Sequence, residues 1–170
     1  NSPKVGSIPA NEKLIFKKQF YQALITIDTD SASSSVSLNL NGDEVLKNTY
    51  TITQGLTRVL VSNPAGKIKL HNYLIGKFDN DEGIKKSGID YSGYLKIFCF
   101  DERGGINSGG SFILAGGESS DIPSPIKAVT VYDLHKTTAP VHEFLHAIGL
   151  CHTFETVAHD CPVGRQRHFY

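Results

Sequence analysis

The sequence predicts an α+β fold in which a twisted mixed β-sheet is followed by one long helix. Three observations carry that expectation. The first two thirds of the 170-residue chain hold short β-branched and aromatic runs, broken by Gly, Asn and Asp. Apolar residues at secure helical spacing appear only late, as Val141, Phe144, Leu145 and Ile148. The length suits one domain with a real core, or one domain plus a short second lobe around a cleft. Residues 1–149 are therefore read as a subdomain of sheet and helix, and 150–170 as the start of a small C-terminal subdomain.

Taken in order, LIFKKQFYQALITIDTD (14–30) mixes β-branched and aromatic residues and is read with the strands. SVSLNL (35–40) alternates Val36, Leu38 and Leu40 with polar neighbours, as a half-buried strand does. Asn41-Gly42 then supplies a favoured hairpin turn. YTITQGLTRVLVS (50–62) reads as a strand or a pair of strands. The DNDEG segment (79–83) lacks the spacing and terminal glutamate of a calcium loop and is read as a solvated turn. Residues 81–90 are too glycine-rich for a long helix. YLKIFCF (94–100) is a candidate central strand that Asp101 to Gly105 brings to an end. SFILAGG (111–117), with glycines on both sides, suits an edge strand or the lip of a cleft. AVTVYDL (128–134) is one more strand, and the secure helix begins near Thr138.

Charge and composition exclude some function classes. The formal net charge is zero and no basic run tracks a phosphate backbone, which disfavours a nucleic-acid partner. No stretch approaches the length of an apolar membrane span. Residues 1–10 read as an entry segment and not as a signal peptide. Cys99, Cys151 and Cys161 cannot build a disulfide framework, because any single bridge leaves an odd thiol.

The chemistry concentrates in VHEFLHAIGLCHTF (141–154), with three histidines and one glutamate. His142 and His146 are four apart, which on a helix sets both imidazoles on one face and within reach of a single ion. Thr137 or Thr138 can cap this helix, and Pro140 falls in its first turn, where the missing N–H costs little. Gly149 permits a left-handed turn that ends the helix. The chain can then reverse and bring in His152 as a third nitrogen ligand. Three imidazoles leave tetrahedral Zn2+ an open position for water, the mark of a catalytic site. Glu143 follows the first ligand directly, so it stands beside the metal as general base and then general acid. From this composition, the five defined positions coincide by chance in on the order of one such chain in ten thousand or fewer. The other class of HExxH peptidase takes a downstream glutamate as third ligand. No glutamate follows Glu155, and Glu155 is too near, so His152 is the better third donor.

HEFLHAIGLCH (142–152) resembles the extended zinc motif of the metzincin metallopeptidases, glycine included. The continuation Leu150-x-His152-Thr153-Phe154 is most similar to the pappalysin-type branch and related bacterial secreted enzymes. The strict match covers eleven residues; the order of sheet before helix is compatible with it over about 150. The resemblance implies a zincin-like fold, with His142, His146 and His152 as zinc ligands, Glu143 as base and acid, and Gly149 as the turn. It implies a protein or peptide substrate lying extended along an edge strand, for which Ser111, Phe112, Ile113, Leu114, Ala115 and Gly116 are the candidates. It also implies a secreted, cell-surface or periplasmic location. One departure stands out. Metzincins carry a methionine-containing turn beneath the zinc, whereas this chain has no methionine and ends eighteen residues past His152. The C-terminal subdomain is therefore expected to be incomplete in this sequence. His135, His159 and His168 are read as surface residues or as neighbours of the ligands.

The expected function is a zinc endopeptidase. One rival is a binding module in which zinc only supports a recognition surface; another is a zinc hydrolase acting on a non-peptide amide.

Overall fold

Val59, Leu60 and Val61 are almost wholly buried, so the strand that carries them is covered on both faces. That strand is β2 (Thr57–Val61), paired antiparallel with β1 (Thr51–Gln54) across a turn at Gly55. The computed structural model describes residues 6–8, 10–22, 36–108, 111–115, 117–119, 128–133 and 139–147. Within them the chain is a mixed α+β fold with two hydrogen-bonded mixed sheets. In the four-stranded sheet, β2 runs parallel to β4 (Gly104–Ser108), with Leu60 opposite Gly104. β4 in turn pairs antiparallel with β5 (Ser111–Ala115), which places β1 and β5 at the two edges.

In the three-stranded sheet, β3 (Lys96–Cys99) runs parallel to β7 (Ala128–Val131), and β6 (Gly117–Ser119) pairs antiparallel with β7 on its other side. One stretch of chain ties the sheets together. The Phe100 N–H donates to the Val131 carbonyl at 2.9 Å and the Asp133 N–H to the Glu102 carbonyl at 3.0 Å. Immediately after, the Leu60 N–H donates to the Arg103 carbonyl at 2.9 Å. At that junction Glu102 is buried and paired with the Arg58 guanidinium, whose Nε donates to its carboxylate at 3.1 Å. The two-point geometry of such a pair fixes its orientation as well as its charge balance.

Helices cover the central strand β7 on both faces. Alternation along it sends Val129 and Val131 to one side, where they pack with Ala147 of α5 (Ala139–Ala147). Tyr132, just past β7, turns to the other side and joins Leu70 and Leu74 of α3 (Leu70–Asn80) in the main core, with Leu46, Tyr50, Leu60 and Phe100. α3 buries Leu70, His71, Leu74, Ile75 and Phe78, a stripe at helical spacing. Two short helices complete this part: α2 (Glu44–Thr49), capped by Asp43, and α4 (Glu82–Lys86), capped by Asp81.

Several expectations need correction. Within 14–30, the residues through Gln22 are not strand but the end of a helix, α1 (Ala10–Gln22), rich in the helix formers Ala, Glu, Lys, Leu and Gln. Residues 36–40 belong to no strand, and Asn41-Gly42, with Gly42 at φ 72°, leads into α2 and not into a hairpin. β3 lies at the margin of its sheet among the described strands, and β7 is the central one. Gly104 and Gly105 open β4 instead of ending β3. A Cβ on Gly104 would land inside the Tyr132 ring, and one on Gly105 would meet the Ile113 carbonyl and the Phe112 ring. Aromatic rings thus fill the space that the two glycines leave on the sheet. The DNDEG segment is not a solvated turn either: Asp79 and Asn80 end α3, and Asp81 caps α4, accepting from the N–H groups of Gly83 and Ile84 at 2.8 and 3.1 Å.

Candidate active site

The site begins with the burial pattern of α5. Pro140, Val141 and Ala147 are buried and Phe144 and Leu145 partly so, while His142 is exposed and Glu143 half-buried. The helix thus presents its first histidine to solvent while its apolar side is held by the body of the protein. Two contacts hold it. Ala147 meets Val129 and Val131 of β7, and Val141, Phe144 and Leu145 form a second cluster with Phe20 of α1 and Ile97 of β3. The Phe20 and Phe144 rings meet edge to face, 4.7 Å between centroids and 75° between planes, a preferred aromatic geometry. Fully burying a side chain such as Val141 is worth about 1.5–3 kcal/mol, so several such contacts fix the helix without help from any ligand.

Position 146 belongs to α5 by its backbone, one helical turn after His142. Gly149, His152 and the cap residues Thr137 and Thr138 lie outside the described residues, as do Cys151, Cys161, His135, His159 and His168. Among the described residues no three His, Cys, Asp or Glu groups converge on a point that could hold a metal. The donor chemistry that the structure does place, an exposed imidazole on a packed helix with a second histidine four residues on, fits two ligands of a three-histidine zinc site.

Glu143 meets the neighbouring sheet. A Cβ built on Gly117 would lie 2.8 Å from Glu143 Cγ and 3.6 Å from its Cδ. The side chain of the expected base therefore lies against β6, at the margin of the three-stranded sheet. Of the candidate substrate residues, Ser111, Phe112, Ile113, Leu114 and Ala115 form β5, the edge of the four-stranded sheet, with Ile113 and Leu114 exposed. Gly116 lies outside the described residues. The strand in contact with Glu143 begins at the next position. Gly117, read from sequence only as the end of the SFILAGG segment, thus lies against the side chain of the expected base. Its signal was the second of two adjacent glycines.

Cys99 sits half-buried beside Val129, Val131 and Ala147, and burial pushes its thiol up to about 11. No described helix is long and apolar enough to cross a membrane. No protein-family model matches the chain, and no curated protein or solved structure matches it significantly. The functional reading accordingly rests on the residues themselves.

Proposed function

We propose that the chain is a zinc-dependent endopeptidase in which His142, His146 and His152 hold the metal and Glu143 is the general base and acid. One observation carries the proposal: HEFLH lies on a helix anchored by its apolar side, with its first histidine exposed and its glutamate against a sheet margin. A zinc ion held by these three imidazoles would lower the pKa of the attacking water and polarise the scissile carbonyl. The chain's own groups supply the rest. Glu143 takes the proton of that water and later delivers it to the leaving amine. The margin of β6, the outer one of the described strands in its sheet, would offer main-chain groups to an extended peptide beside Glu143. The substrate strand expected at Ser111–Gly116 then serves best at its C-terminal end, where the chain passes into β6. The substrate class is protein or peptide, and the same reading places the enzyme outside the cytosol.

The test is a paired measurement on Glu143→Gln with fluorescein-labelled casein as probe. The variant is expected to keep the zinc content of the parent protein and to lose on the order of 10²- to 10⁴-fold in kcat. Chelation should abolish the parent activity, and zinc should restore it. Unchanged turnover in the variant would refute the role of Glu143; a zinc-loaded parent that cuts nothing would favour the binding module.

A further inference from the structure

We propose that Gly117 is a positioning residue for Glu143: the absence of a Cβ at 117 is what lets the glutamate side chain lie across β6. The catalytic consequence rests on the zinc-peptidase reading, whereas the packing relation does not. A methyl group at 117 would stand 2.8 Å from Glu143 Cγ and 2.8 Å from the Thr130 carbonyl oxygen, closer than real Cβ atoms approach other heavy atoms. The two contacts give separately. The strand must shift from the Thr130 carbonyl by a few tenths of an ångström, which loosens the pairing of Gly117 with Val131. Against the glutamate, either the strand moves further or Glu143 changes rotamer and carries its carboxylate off the strand. The pairing is anchored on β7, which is buried along its whole length, while Glu143 is half-buried on a helix surface. The side chain is the softer partner and yields first. Displacing a reacting group by about 1 Å can cost on the order of a hundredfold in rate.

The experiment is a double-mutant cycle on thermal stability, with kinetics alongside. Gly117→Ala is made in the parent chain and in Glu143→Ala, and melting temperatures are measured on the metal-free proteins. Removing the glutamate side chain leaves the Thr130 contact in place and relieves the other, so Gly117→Ala should depress melting less in the Glu143→Ala background. Equal depression in both backgrounds overturns the proposal. If Gly117→Ala folds only when Glu143 is truncated, the coupling stands in its strongest form; if it folds in neither, the backbone contact dominates and the proposal fails. With labelled casein, zinc-loaded Gly117→Ala should lose kcat on the order of a hundredfold while KM and zinc content hold. A coupled cycle with no casein cleavage by the parent protein would keep the packing relation and reject the peptidase reading. Cleavage at the parent rate by Gly117→Ala would keep the peptidase reading and overturn the positioning role of Gly117.

Discussion

Asp43 holds three donors with one carboxylate. Its Oδ1 accepts from the Leu46 N–H at 3.0 Å and from the Tyr73 hydroxyl at 2.6 Å, and its Oδ2 lies 2.9 Å from the Lys77 ammonium. Burial pulls this carboxyl upward, but the Leu46, Tyr73 and Lys77 contacts outweigh it and hold the group below its ordinary value. A carboxyl depressed on folding stabilises the native state above its unfolded pKa, and that stabilisation is lost as the pH falls through the folded value. Asp43→Asn is therefore expected to cost about 1–2 kcal/mol near neutral pH, with the two proteins converging in acid, as the pH falls below the ordinary carboxyl range. Urea unfolding at both pH values checks it; a constant difference would show that the charge is not the cause. Cys99 gives a second expectation at this scale. Its thiol is half-buried and raised to about 11, and only the thiolate is nucleophilic. Cys99 should react with iodoacetamide far more slowly in folded than in urea-unfolded protein, which mass spectrometry of the tryptic peptide can follow.

At the scale of elements, what was legible in the sequence is what local pattern alone determines. The run from Thr51 to Val61 makes a strand pair because β-branched residues flank a Gly55 turn, and the helix over 139–147 follows from its apolar spacing and from Pro140 in its first turn. Residues 36–40 alternate as well, yet among the described residues no strand pairs with them; alternation is local, whereas a ladder needs a partner that no single segment specifies. α3 was missed because its buried stripe includes the polar His71 and because Gly76 breaks the helical pattern beside it. The glycines of β4 misled for a related reason: alone they read as a terminator, and only the folded sheet brings Tyr132 and Phe112 over them. The same reasoning sets a prediction. Gly104→Ala puts a methyl group where the Tyr132 ring lies, between β4 and the main core. It should destabilise the fold by about 3 kcal/mol, and Tyr132→Ala in the same chain should recover part of the loss that the added methyl causes. Strict additivity of the two substitutions in urea unfolding would show that the ring does not compete for this space.

For the whole molecule, the candidate site divides into a part built by the packed body and a part that comes later in the chain. His142, Glu143 and position 146 ride on α5, which β7 holds on one side and Phe20 on another, so these positions exist only when sheet and helices are folded together. His152 follows the described body, and its proposed role rests on spacing alone: a reversal at Gly149 would bring in a third imidazole and leave zinc an open position. A metal that needs all three therefore binds the native chain far better than the unfolded one. Such binding raises stability by about 4 kcal/mol when free metal exceeds its dissociation constant a thousandfold. For a chain of this size that corresponds to a rise of about 10 °C in melting temperature. His142→Ala or His146→Ala should abolish the zinc-dependent rise while changing the metal-free melting temperature little, and His152→Ala should reduce it sharply. Calorimetry with chelator and with zinc, on the parent and these three variants, reads the result directly. Identical melting temperatures for the chelated and zinc-saturated parent would mean that the three histidines do not share an ion, whatever their spacing suggests.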